Sequence, residues 1–179
     1  MSSENKFKMP NSLNEHWMPF SSNKDFKANP RLIVEAKGVY LKNHQGQTQI
    51  DASSGLFCNP LGHGREEIIE AITKQLRTVD YAQPFQQGFG GSFELATRIA
   101  KHTPGDLNKM FFTICGSTAV ETAIKIAVAY HRAKGNAQRF RFVGRERAYH
   151  GMNIGCVSVG GMVNNVKTFA SILMPGVQH

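Results

Sequence analysis

The chain has 179 residues, 41% of them hydrophobic, which is enough for a sizeable core and argues against a disordered polymer. Lysine and arginine outnumber aspartate and glutamate 21 to 13, a net charge of +8 that suits an acidic ligand, a nucleic acid or a solvated surface alike. Cys58, Cys115 and Cys156 are scattered and form no C-x-x-C pair, so neither a disulfide framework nor a zinc site is indicated, and no apolar run is long enough to span a membrane.

Met1 to Asn14 is rich in Ser, Asn and Lys, has little to bury and lacks the apolar core of a secretory leader; it reads as a mobile arm of a cytoplasmic protein. His16-Trp17-Met18-Pro19-Phe20 is too dense in apolar side chains for a free tail. Leu32 to Ala36, Gly38 to Leu41 and Gln49 to Asp51 read as three short strands of an antiparallel meander, punctuated at Lys37-Gly38 and Asn43-His44-Gln45-Gly46. After Ser53 to Cys58, Gly62-His63-Gly64 makes a turn in which His63 is a turn or capping residue. Ile68, Ile69, Ile72 and Leu76 then predict a helix over Arg65 to Leu76. Tyr81 to Gly91 reads as irregular, and a further helix covers Ser92 to His102 before Pro104-Gly105-Asp106.

Phe111 to Ile114 reads as an apolar strand that breaks at Cys115-Gly116-Ser117 and restarts as a helix from Thr118 to about Ala133. That helix is expected to bury Val120, Ala123, Ile124, Ala127 and Val128 and to pair Glu121 with Lys125. Two readings of its start stay open. A helix opening after a glycine turn presents free N–H groups and partial positive charge to an anion, with Gly116 allowing close backbone approach and Ser117 adding a hydroxyl. Thr118-Ala119-Val120-Glu121 also fits a capping box, in which the helix satisfies its own donors. Cys115 is either a small core residue or a thiol made acidic by the helix end. Arg139 to Val143 alternates basic and apolar residues with period two, as a strand with one buried face does, which outweighs a nucleic-acid platform. Tyr149-His150-Gly151 is a turn, Met152 to Val159 fits a helix or a strand, and Gly160 to Gly176 reads mostly as loop.

Phe112-Thr113-Ile114-Cys115-Gly116-Ser117 before a helix, paired with Gly144-Arg145-Glu146-Arg147-Ala148-Tyr149-His150-Gly151 after the next strand, resembles the class III, pyridoxal-phosphate-dependent aminotransferases, most closely those that take ω-amino acids such as β-alanine with pyruvate. His16-Trp17-Met18-Pro19-Phe20, Gly62-His63-Gly64-Arg65, Ala129-Tyr130-His131-Arg132 and Ser158-Val159-Gly160-Gly161 extend the resemblance to nearly everything from His16 to His179.

The resemblance implies an α/β fold, part of a fold-type I transferase: a mobile arm over 1–14, a small-domain segment over 15–80 and the start of a mostly parallel large-domain sheet over 81–179. It makes the chain the amino-terminal part of a homodimeric enzyme with pyridoxal 5'-phosphate as cofactor, an amino donor and pyruvate as substrates, and no nucleic acid or membrane. By the same resemblance Gly116 and Ser117 contact the phosphate, Tyr149 stacks on the pyridine ring, and Phe20, Phe57 and Tyr149 line the substrate pocket. The segment Tyr81 to Gly91 reaches the neighbouring subunit's active site. The family has a tryptophan where Phe57 stands, and Ser-Gly-Ser-Glu where this chain reads Cys115-Gly116-Ser117-Thr118. The acid facing the pyridine nitrogen, the Schiff-base lysine and the carboxylate-binding arginine match no residue here, so the chain alone is expected to be inactive. A non-catalytic scaffold that binds a phosphate ligand or dimerises is the alternative.

Overall fold

The computed structural model describes residues 9–179, so the first eight residues of the predicted arm lie outside the described residues. The chain forms two compact units, the first ending at Gly88 and the second running Phe89–His179.

The first unit is built on the predicted meander: β1 (Ile33–Lys37), β2 (Tyr40–Asn43) and β3 (Thr48–Ile50) pair antiparallel in that order. Lys37 faces Tyr40 across the first turn, where Gly38 takes φ 58°, and Lys42 faces Thr48 across the second. Asn43 makes the second turn by its side chain, its Oδ1 accepting the N–H of Gln45 at 3.0 Å and of Gln47 at 2.9 Å. Before the sheet comes α1 (Asn23–Ala28); after it comes α2 (Glu66–Thr78), one residue later at its start than the isoleucine spacing predicts. Between β3 and α2, Ser54, Gly55, Leu56 and Phe57 all have positive φ, 51°, 59°, 55° and 68°. L-residues avoid this left-handed region at a cost of roughly 1–2 kcal/mol each, so the surrounding contacts must hold the turn.

In the second unit, α3 (Gly90–Ala100) and α4 (Gly116–Ala133) precede β4 (Phe142–Val143), α5 (Ile154–Val159), α6 (Val163–Phe169), a single 3-10 turn (Ala170–Ile172) and β5 (Val177–Gln178). β4 and β5 pair in parallel, Phe142 with Val177 and Val143 with Gln178. Several expectations are corrected here. Phe111 to Ile114 forms no strand and pairs with none among the described residues, because a ladder needs a partner whatever the propensity of the run. The Arg139 to Val143 strand contracts to its last two residues for the same reason. Of Met152 to Val159, Ile154–Val159 is helix, and Gly160 to Gly176 is mostly helical instead of loop.

The centre of this unit is α5, where Cys156, Val157 and Ser158 are buried. Its neighbours reach it over glycines: a Cβ on Gly160 would stand 2.8 Å from Cys156 O, and one on Gly161 would collide with Arg145 O. No residue of α4 is buried, contrary to the expected burial of its apolar stripe. Val120, Ala123, Ile124 and Ala127 instead line an open cavity of about 490 Å³ with Phe142, Val143 and Val159.

Candidate functional site

A helix leaves its first N–H groups without intrahelical acceptors, and in α4 these belong to Gly116, Ser117 and Thr118. Ala119 is the first to close the ladder, its N–H donating to Cys115 O at 3.0 Å. The N-cap is Cys115, extended at φ −164° and ψ 169°, and no side chain caps the helix. The predicted capping box is therefore absent. The helix starts two residues before Thr118, which places that residue inside the first turn instead of at the cap. Glu121 serves a different partner, its Oε1 accepting the N–H of Gly155 at 2.7 Å, and it forms no ion pair with Lys125.

The chain turns at Glu146-Arg147 and not at the predicted Tyr149-His150-Gly151, and three bonds knit the start of α4 to the segment that follows Gly151. Met152 N–H donates to Ser117 Oγ at 3.0 Å, the Cys156 thiol donates to Ser117 O at 3.2 Å, and Gly155 N–H reaches Glu121. Gly151 fits between them at φ 120°, where a Cβ would stand 2.5 Å from Ser117 Oγ and 2.8 Å from Ser117 Cα. The Met152 bond occupies a lone pair of the Ser117 hydroxyl and so orients its proton for donation elsewhere. Tyr149, two residues before Gly151, is 62% exposed.

The donor set suits an anion. Three backbone N–H groups, the Ser117 hydroxyl and the positive end of an 18-residue helix converge, and the helix's first turn carries no acidic side chain. A Cβ on Gly116 would meet nothing within 4 Å, so the space in front of the backbone is open to a ligand oxygen. Gly116 itself is the first helical residue and has no positive φ, which corrects the idea that it forms the turn; what it contributes is access. These residues fit a phosphate, and an exposed tyrosine face on the adjoining segment fits a flat ring.

Thiol chemistry divides along the same lines. Cys115 is exposed, not a core residue, and its pKa is lowered, chiefly by the hydrogen bond between its Sγ and the Thr118 hydroxyl 3.3 Å away. Cys156 has its pKa raised, by burial first and by the Glu121 carboxylate second.

In the first unit, Phe20 and Phe57 both stand almost fully exposed on tight turns, each at positive φ. Residue spacing does not reveal the network that follows β3. Asp51 Oδ2 accepts the N–H of Gly55 at 2.8 Å and lies 3.0 Å from His63 Nε2, while Asn59 Nδ2 is 2.8 Å from His63 Nδ1. Those bonds hold the Asp51 carboxyl down to about 2, the Gly55 N–H contributing most and the His63 ring next. His63 is a bridge residue paired with Gly38 and not the predicted turn or capping residue, and it has a carboxylate partner that residue spacing does not reveal. Among the described residues no group of acidic, histidine or cysteine side chains could hold a metal ion, and no helix is long and apolar enough to cross a membrane.

Residues 21–179 match the model of the family described as aminotransferase class III. The omega-aminotransferase of Caulobacter vibrioides is 46% identical over 94% of this chain and 38% of its own length. The beta-alanine–pyruvate aminotransferase of Pseudomonas aeruginosa is 46% identical over 90% of this chain and 36% of its own. Among solved structures, an (S)-enantioselective omega-transaminase from Thermomicrobium roseum superposes with a TM-score of 0.87 at 32% identity, covering 92% of this chain and 37% of that one. The omega transaminase of Pseudomonas jessenii, solved with PMP, gives 0.86 at 28% identity over 92% and 36%. The chain spans less than two fifths of the length of these relatives. On the family match and these identities, the chain belongs to the class III aminotransferases, which depend on pyridoxal 5'-phosphate.

Proposed function

We propose that this chain supplies the phosphate cradle and part of the substrate pocket of a cytoplasmic, homodimeric transaminase that moves an amino group from an ω-amino acid such as β-alanine to pyruvate, giving alanine. The observation that carries the reading is the Met152–Ser117 bond, which turns the serine hydroxyl into a fixed donor beside the free N–H groups of α4. Gly116, Ser117 and Thr118 bind the cofactor phosphate through their N–H groups, the Ser117 hydroxyl adds one bond, and Tyr149 stacks on the ring. Phe20 and Phe57 wall the amino donor, with Phe57 giving an apolar face without an indole N–H. Pyridoxal phosphate, when bound, supplies the electron sink that amino-group transfer needs.

The proton-shuttling lysine of such enzymes has no match here: Lys101, Lys109, Lys125, Lys134 and Lys167 lie outside the family's lysine motif. The chain alone is therefore assigned binding and not turnover. The test joins residues 1–179 to the remaining portion of the Caulobacter relative and measures alanine formed from β-alanine and pyruvate. Turnover that is lost in Gly116→Val is the expected result. A folded, cofactor-loaded chimera in which Gly116→Val and Ser117→Ala change neither cofactor affinity nor rate would overturn the cradle.

A further inference from the structure

The strained turn at Ser54–Phe57 raises a question that the assigned roles leave unanswered: what keeps four successive residues in a left-handed conformation, three of them with side chains? Such backbone persists only where surrounding bonds over-determine it, and it concentrates at ligand-facing segments. Here the bonds converge on Asp51. Its Oδ1 accepts the Ser53 hydroxyl at 3.0 Å and lies 3.3 Å from the Ser53 N–H, and its Oδ2 accepts the Gly55 N–H at 2.8 Å. The Phe57 N–H donates back to Ser53 O at 2.9 Å, and the Asn59 N–H to Ser54 O at 2.8 Å, which closes the turn.

Asp51 is held in its turn by His63, whose Nε2 lies 3.0 Å from Oδ2. His63 cannot drift. Its N–H donates to Gly38 O at 2.8 Å and its carbonyl accepts the Gly38 N–H at 2.9 Å, which ties it to the β1–β2 turn, and Asn59 Nδ2 meets the other ring nitrogen at 2.8 Å. The chain of contacts thus runs from the meander through His63 and Asp51 to the turn that displays Phe57, which is 85% exposed.

We propose that Asp51 and His63 are positioning residues that hold the Ser54–Phe57 turn in its left-handed form, and so fix the direction in which Phe57 meets the amino donor. The pocket role of Phe57 rests on the reading under Proposed function; the clamp rests on the bonds above. Asn59 locks the ring orientation of His63 and thereby the nitrogen that faces Asp51. The partner class is an amine whose apolar portion lies against the Phe57 ring, and its discrimination depends on a turn that never touches it through Asp51 or His63.

The test is amide hydrogen exchange on the 179-residue chain, comparing His63→Gln, whose amide nitrogen reproduces Nε2 toward Asp51, with His63→Asn, which reproduces only the Nδ1 side. Protection of the Gly55, Phe57 and Asn59 amides should fall about fivefold to tenfold in His63→Asn, stay near the parent value in His63→Gln, and leave the Leu41 and Lys42 amides of the meander unchanged. Equal protection in both variants, or a loss spread evenly over the meander, overturns the clamp. Asp51→Asn gives a second route should His63→Asn fail to fold, because it replaces one of the two acceptor oxygens by a donor and should lower protection of the same three amides; unchanged protection in it overturns the clamp. Phe57→Ala leaves the exchange pattern intact whether or not the ring walls a pocket. Failure of the pocket reading therefore shows as unchanged amine selectivity of Phe57→Ala in the chimera, separately from failure of the clamp.

Discussion

Gly151 and Ser117 meet so closely that a methyl group on the glycine would stand 2.5 Å from the serine Oγ, although 34 residues separate them in the chain. This contact lets the Gly151-Met152 backbone lie directly on the first turn of α4. It also makes Gly151 irreplaceable for two reasons, the closeness and its φ of 120°. Gly151→Ala should destabilise the second unit by about 2–4 kcal/mol, combining strain at positive φ with overpacking. Gly116→Ala, with open space at its Cβ, should leave stability unchanged or slightly raised. Urea unfolding of the two variants checks the contrast, and equal midpoints would contradict it.

The same geometry separates two losses at the cradle. Ser117→Ala removes one hydroxyl and the acceptor of Met152 N–H, a cost of about 1 kcal/mol. Gly116→Val places a branched side chain where a ligand oxygen must approach three N–H groups at once. Calorimetric titration with pyridoxal phosphate should show the valine variant binding more weakly than the alanine variant.

How much of this was legible depends on how local each cause is. The meander could be read because alternation and the Asn43 turn act within a few residues. The capping box could not: Thr118 and Glu121 have the right spacing, but Glu121 answers to Gly155, 34 residues on. The strand at Phe111 to Ile114 has the right residues without a partner among those described, and strand pairing is never a property of one run. At Gly116 and Ser117 the residues alone left an anion site and a capping box both open, and only the resemblance pointed to the phosphate. The Asp51–His63 contact was hidden for the opposite reason, since each residue separately looks like ordinary turn chemistry.

Acid should loosen the first unit through Asp51. Its carboxyl is held at about 2 in the folded chain against an ordinary value of 3.8, so the folded form favours the ionised state. The resulting stability is fully present above the ordinary value and is lost as pH falls through the folded one, between roughly 4 and 2. Thermal unfolding across that window should show the loss, and Asp51→Asn should flatten it. A profile with the same slope in both proteins would assign the acid transition to other carboxylates.

Uncovered apolar surface should make the isolated chain associate. Ile114 is 93% exposed and Val143 84% exposed, and the α4 stripe faces an open cavity. Large apolar patches and unpaired strand edges drive such contacts. Sedimentation should give a mass above 19.8 kDa that falls at low protein concentration. A monodisperse monomer with one cooperative thermal transition would count against this.

The cysteines give a direct report on the helix end. Cys115 is exposed, with a thiolate favoured by the Thr118 hydroxyl, whereas Cys156 is buried and its thiolate disfavoured by burial and by Glu121. Because the thiolate is the nucleophile, a maleimide at neutral pH should modify Cys115 in the native protein and reach Cys156 only after unfolding. Thr118→Val removes the hydroxyl and should slow Cys115 several-fold without exposing Cys156. Cys115 also precedes the three free N–H groups of α4, so a phosphate held there both covers the thiol and adds negative charge beside it. Millimolar inorganic phosphate should then slow labelling of Cys115 while leaving exposed Cys58 unchanged, and Gly116→Val should abolish that protection. Equal slowing of Cys58 and Cys115 would mean an ionic-strength effect and no bound anion at α4.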